Sequence, residues 1–219
     1  MAQYQIPSYD GLSQYNVNRP GWEAIRQTLY DYQAYAAAGA TQLTYFAVPT
    51  GQGGKTLSDT NMNLAGQLPA NQEFLVQSIE VHFLPTVPAV AADNPAAQGI
   101  KAIANIVNDA YRFYRTGNLQ LVIGSKPYLT EAPLGRFPTK VAFTINAAVA
   151  LAGEVADANS RIAYAQSTGR PYLLAPTNLR LVSTQNFQVT LNWPEGVQAI
   201  TNPARVGVIL DGILYRRSQ

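Results

Sequence analysis

About eight strand-like stretches separated by turn signals, with helical periodicity in only two or three places, predict a mainly β protein. The expected architecture is an antiparallel two-sheet sandwich of the jelly-roll type with two or three inserted helices, because a parallel α/β sheet needs a helix between most of its strands. No internal repeat is visible in the 219 residues, so a single domain over residues 21–219 is expected, preceded by an arm.

The arm is residues 1–20. It carries one acid, Asp10, one base, Arg19, and three tyrosines, Tyr4, Tyr9 and Tyr15, with no sustained period. Such a segment cannot bury enough of itself to order alone. Tyr4, Tyr9, Tyr15 and Arg19 are therefore candidate interface residues. Next, Trp22, Ile25, Leu29, Tyr32 and Ala36 recur at helical spacing, with Glu23 in the first turn and Gly39 as a stop, which predicts a helix over about 21–38.

Thr41 to Val48 is rich in strand formers and closed by Pro49; Thr50 to Ala70, dense in Gly, Asn and Asp, reads as loop. Gln72 to Leu84 is the longest strand candidate. Its alternation puts Leu75, Ile79, Val81 and Phe83 on an apolar face and Ser78, Glu80 and His82 on a polar, solvent-facing one. Ile100, Ile103, Val107, Ala110 and Tyr114 repeat at helical spacing before Gly117, predicting a second helix over about 97–115.

Leu119, Leu121 and Ile123 mark a further strand, Lys126 to Pro138 an irregular crossing, and Lys140 to Ile145 another strand. Ala147 to Ala158 fits a short Ala-rich helix or a loop. Arg161 to Ala165 and Tyr172 to Leu174 add short strands. Three consecutive antiparallel strands close the chain: Leu179 to Val182, then Phe187, Val189, Leu191 and Trp193 alternating with polar residues, then Arg205 to Tyr215.

Only 13% of residues are charged while 47% are hydrophobic and 13 are tyrosine. A monomer ordinarily spreads more charge over its surface, whereas Tyr-rich, weakly charged flanks suit burial against other subunits. With no Cys, disulfides and thiolate metal sites are excluded. Residues 1–110 hold 8 acids and 4 bases, and residues 111–219 hold 5 acids and 11 bases, an asymmetry that interleaved strands would average out. No leader-like stretch and no apolar run near the roughly 20 residues of a membrane span is present, so export by the usual amino-terminal route is not expected.

Four motifs invite a chemical reading, and each has a plainer one. Gly51 to Thr56 (Gly-Gln-Gly-Gly-Lys-Thr) resembles the end of a phosphate-binding loop, yet Pro49 stands where the motif needs Gly and no helix is expected after Thr56. Asp59, Asn61 and Asn63 have the first ligand spacing of a calcium loop, but Leu64 replaces the turn glycine and Ala70 the bidentate acid, leaving at most a weak cation site. His82 is the sole histidine; with Glu80 on the same face it reads as a surface pair rather than a catalytic or zinc site. Tyr111, Arg112, Phe113, Tyr114 and Arg115 could stack on a nucleic acid strand. On the expected helix, Tyr111 and Tyr114 instead continue the buried stripe, and the arginines favour the helix carboxy end.

Gly66-Gln67-Leu68-Pro69 leading into Phe74-Leu75-Val76, the stretch Gly117 to Lys126, and the closing Val208 to Arg216 together resemble the jelly-roll capsid proteins, coat or vertex, of tailless icosahedral bacteriophages. The resemblance runs over about residues 40–217 and is one of texture and order. Double-jelly-roll coat proteins of that group are usually longer, so a single-barrel coat or vertex subunit is the better match. The resemblance implies a virion protein assembled in the host cytoplasm, bound to copies of itself and to other capsid proteins, with genome or an internal membrane beneath the shell. It implies no catalytic residue, cofactor, metal or small-molecule substrate. The alternative from another class is a carbohydrate-binding sandwich in which Tyr45, Tyr128 and Tyr172 stack on sugars.

Overall fold

A computed structural model describes residues 22–86, 108–139, 141–146, 161–166, 171–174, 176–195 and 199–217. In chain order these form β1 (Trp22–Tyr35), β2 (Gln42–Tyr45), β3 (Gln72–Pro85), a helix α1 over residues 108–116, β4 (Asn118–Ile123) and β5 (Lys126–Glu131). A 3-10 turn at Leu134–Arg136 precedes β6 (Val141–Asn146), β7 (Arg161–Gln166), β8 (Tyr172–Leu173), β9 (Leu179–Val182), β10 (Phe187–Asn192) and β11 (Ala204–Arg217). The chain is mainly β, with two antiparallel sheets. The first has the order β1-β11-β3, with β8 and β9 both on the far edge of β3; the second has the order β2-β10-β4-β5; β6 and β7 pair with each other.

The helix expected over 21–38 is not formed. Trp22–Tyr35 is a strand paired with β11 over its whole length, Trp22 opposite Arg217 and Tyr35 opposite Ala204. The helical spacing of Trp22, Ile25, Leu29 and Tyr32 is coincidental, because Ile25 and Leu29 face the core while Trp22 and Tyr32 lie on the other side of the sheet. Alternation is disguised by a charged residue on the core side: Asp31 is fully buried. Of the helix expected over 97–115, residues 108–116 are helical and end before Gly117; residues 97–107, and the Ala147–Ala158 stretch, lie outside the described residues.

One buried apolar cluster draws on the core faces of both sheets. It joins Leu29, Phe74, Val76, Ile79, Val81, Val206, Val208 and Leu210 of the first to Tyr45, Leu119, Leu121, Val189 and Leu191 of the second. Every one of these strand positions obeys the period-2 rule within its strand except on β3. There the register slips opposite Asp211 and Gly212, so Gln77 is an extra residue and Leu75 falls on the opposite face from Ile79, Val81 and Phe83. The expectation that the four share a face is corrected by this bulge. Gly212 makes the bulge feasible: a Cβ there would stand 1.9 Å from the Leu75 carbonyl oxygen.

At one end of the cluster the aromatics gather around Phe113 of α1. Its ring stacks on Phe83 at 4.6 Å and meets Tyr35, Trp193 and Tyr114 at 5.7, 5.3 and 5.0 Å. Trp193 also donates its indole N–H to the Phe113 carbonyl at 3.1 Å, satisfying a helix-end acceptor. Burial of Tyr114 pushes its hydroxyl up to about 12. Of the stripe expected on this helix, Ala110 and Tyr114 pack against the core, but Tyr111 is 61% exposed and Phe113 takes its place, fully buried. The irregular crossing expected from Lys126 is in part the strand β5, whose Pro127 and bulge opposite Leu121 and Val122 conceal it.

Candidate functional site

Among the described residues, a group of titratable side chains lies together on the outward face of the β1-β11-β3 sheet. The Cα register puts Gly207 between Tyr32 and His82, Ile209 between Tyr30 and Glu80, and Asp211 between Thr28 and Ser78. The Tyr32 hydroxyl and the His82 Nδ1 are 3.1 Å apart, and His82 Nε2 lies 3.3 Å from the Glu80 carboxylate. Arg205 stacks over the Tyr32 ring at 4.4 Å and reaches Asp59 at 2.8 Å. One row over, Arg26 meets Asp211 at 2.8 Å. Burial is the main influence that raises the Tyr32 hydroxyl above its ordinary range, against the lowering effect of Arg205.

This chain of groups corrects the reading of His82 and Glu80 as a solvated pair. Glu80, Ser78 and Asp211 are all buried, and the His82 side chain is 16% exposed. The Glu80–His82–Tyr32 series joins β3 to β1 across the intervening β11. A cavity of about 200 Å³ lies on the sheet's other face, lined by Leu29, Met62 and Leu68 with the carboxamides of Gln27, Asn63 and Gln72.

The phosphate-loop look-alike has a structural use. Lys55 turns inward and forms an ion pair with Asp31, whose carboxylate also accepts from the Phe46 N–H. Burial raises the Asp31 carboxyl above its usual range, with Lys55 and the backbone donors pulling the other way. The loop's lysine is thus spent on the core. The calcium-like spacing is likewise committed. Asp59 accepts from the Thr56 N–H at 2.9 Å and from Arg205, which hold its carboxyl below the usual range. Asn61 accepts from the Tyr30 N–H at 3.1 Å and donates to the Thr28 carbonyl at 2.7 Å. These contacts stitch the loop to β1, and among the described residues no group of three metal-ligating side chains occurs.

Of the tyrosines proposed to stack on sugars, Tyr45 is fully buried with its hydroxyl well above the ordinary range through burial, so it cannot meet a ligand. Tyr172 packs on Phe137 at 4.7 Å and donates to Glu131 at 3.2 Å. Tyr128 alone of the three is exposed. Tyr4, Tyr9, Tyr15 and Arg19 lie outside the described residues. Sequence reasoning missed Asp109, buried at the start of the described part of α1, which accepts from the Thr201 and Asn202 N–H groups at 2.9 and 3.2 Å. It also missed Asp31 and Asp211; an acid in the middle of an apolar strand was the available signal.

No family model, no curated protein and no solved structure matches the chain. Among the described residues no helix is long and apolar enough to cross a membrane.

Proposed function

We propose that the chain is a virion structural protein, a capsid subunit with a jelly-roll sandwich fold that self-assembles into an icosahedral shell. The observation that carries the reading is the nesting of the strand pairs. Leaving aside β6, β7 and β8, the first strand pairs with the last (β1 with β11), the second with the next to last (β2 with β10), β3 with β9, and β4 with β5. Two further ladders, β11 with β3 and β10 with β4, lay these pairs side by side. A long antiparallel ribbon rolled on itself has this order, and two Greek keys result.

Jelly rolls serve in viral shells and in sugar-binding domains, and fold alone does not choose between them. The low charge, the 13 tyrosines and the likeness to tailless-phage coat and vertex proteins favour the shell. The sugar reading has lost Tyr45 to the core. In the shell reading the arm of residues 1–20 lies across an adjoining subunit, the partners are copies of this chain and other capsid proteins, and no residue is catalytic. Negative-stain microscopy of the purified protein tests this: rings, pentons or closed shells support it, and a field of isolated small particles at micromolar concentration contradicts it.

A further inference from the structure

The two sheets present opposite kinds of outward surface. That of β1-β11-β3 carries Arg26, Asp211, Glu80, His82 and Arg205, and Arg180 of β9 pairs with Glu73 beside them. On that of β2-β10-β4-β5 the outward rows are uncharged; the two charged residues of these strands, Lys126 and Glu131, sit at the ends of β5 opposite Ile123 and Leu119, which belong to the core-side set. The outward side chains stand in rows fixed by the register. Thr44, Thr190, Gln120 and Thr130 cross the four strands in one row, in which Thr190 is only 3% exposed, Thr44 and Gln120 are half-buried and Thr130 is exposed. Gln42, Asn192 and Asn118 make the next, with Asn192 donating to the Asn118 Oδ1 at 3.3 Å. Gln188 and Val122 begin a third, and Tyr128, 51% exposed, stands at the bulge beside it.

We propose that this amide and hydroxyl face is the surface through which the subunit meets a second copy of itself, as one lateral contact among several in the shell. Solvated sheet faces ordinarily carry Lys and Glu, which keep them apart from other chains. A face with amides, hydroxyls and an exposed tyrosine has no ions to desolvate and no like charges to oppose when an identical molecule approaches. Size decides the kind of contact. Four strands about 4.8 Å apart and about six residues long at about 3.3 Å each span roughly 20 Å by 20 Å, near half of the about 800 Å² per partner that a stable pair buries. One such contact is too small to hold a dimer alone; repeated around a closed ring it suffices. Weakening it should therefore release monomers rather than dimers.

The inference rests on the assembly reading, and the test separates the two. The double variant Gln120→Glu with Gln188→Glu puts two charges on the face without touching the core; Gln52→Glu, on the exposed Gly51–Gly54 loop, adds charge elsewhere. Sedimentation velocity at equal concentration and salt should show the wild type and Gln52→Glu assembled and the double variant shifted to the 23.7 kDa species, with its circular dichroism and melting temperature unchanged. Assembly of the double variant equal to wild type overturns the face while leaving the shell reading intact. A folded monomeric wild type overturns both. A folded wild-type monomer whose β10 and β4 amide resonances move with added cellohexaose or chitohexaose overturns the proposal in favour of a sugar-binding face.

Discussion

Gly207 lies under the ring of Tyr32: a Cβ at that glycine would be 2.2 Å from Tyr32 Cε1. The two residues are register partners on β11 and β1, and His82 is the partner of Gly207 on β3. Strands two apart in a sheet are separated by nearly 10 Å. Tyr32 reaches His82 because the intervening residue has no side chain, and the ring lies across the gap with Arg205 stacked above it. A glycine in the middle of an apolar strand thus lets Tyr32 lie between Arg205 and His82.

Gly207→Ala is expected to lift Tyr32 off the sheet, break its bond to His82 and destabilise the fold by about 1–3 kcal/mol. Combining it with Tyr32→Ala should cost less than the sum of the two single changes, since the alanine then meets no ring. Urea unfolding of the three variants measures this; additive effects would refute the coupling.

Lys55→Met is expected to destabilise by about 3–5 kcal/mol, because it leaves the fully buried Asp31 without its cationic partner. Lys55→Met combined with Asp31→Asn should recover part of the loss. Chemical denaturation reads both, and a single-variant loss below about 1 kcal/mol, the range of a surface pair, would show that Asp31 is hydrated.

Gly212→Ala meets backbone rather than a movable side chain, the Leu75 carbonyl oxygen, so the bulge on β3 must open. Because a bulge slip exchanges the two faces of a strand, the expected result is poor folding, with exchange protection lost over Phe74 to Ser78. Native-state hydrogen exchange unchanged in that segment would contradict the assignment of the bulge.

Asp59 and Asp31 should titrate with opposite signs. The Asp59 carboxyl is held below its unfolded value of 3.8 chiefly by the Thr56 N–H, so its contribution is complete above that value and disappears as pH falls through its lower folded value. Asp31 is raised by burial; its folded form takes up a proton before the unfolded chain does, so this group adds relative stability as pH falls through its folded value. The stability difference between wild type and Asp59→Asn should therefore be flat at neutral pH and shrink below about 4. A difference that persists unchanged to pH 2 would contradict the Asp59 contacts.

What was legible in the sequence was the part with one solvent-facing and one buried side. β10 alternates cleanly from Phe187 to Trp193, and β4 from Leu119 to Ile123, and both were read correctly. β1 was not, because Asp31 faces the core while Tyr30 and Tyr32 lie half-buried outside it, so polarity does not report facing. The β3 bulge was invisible for a related reason: Leu75 is buried on the outward face, and apolar residues on both faces leave no alternation to break. The outward-face cluster could not be read because its members come from β1, β3 and β11 and meet only across the register. The loop motifs at Gly51 and Asp59 place Lys55 and Asp59 against Asp31 and Arg205, partners too distant in sequence to be read from spacing.

The central claim is that this chain builds a shell. Static light scattering of the purified full chain at micromolar concentration and moderate salt measures its mass against the 23.7 kDa of one copy. A capsomer or shell many times that mass is the predicted result. A monodisperse 23.7 kDa species, stable on dilution and on concentration, would contradict the account.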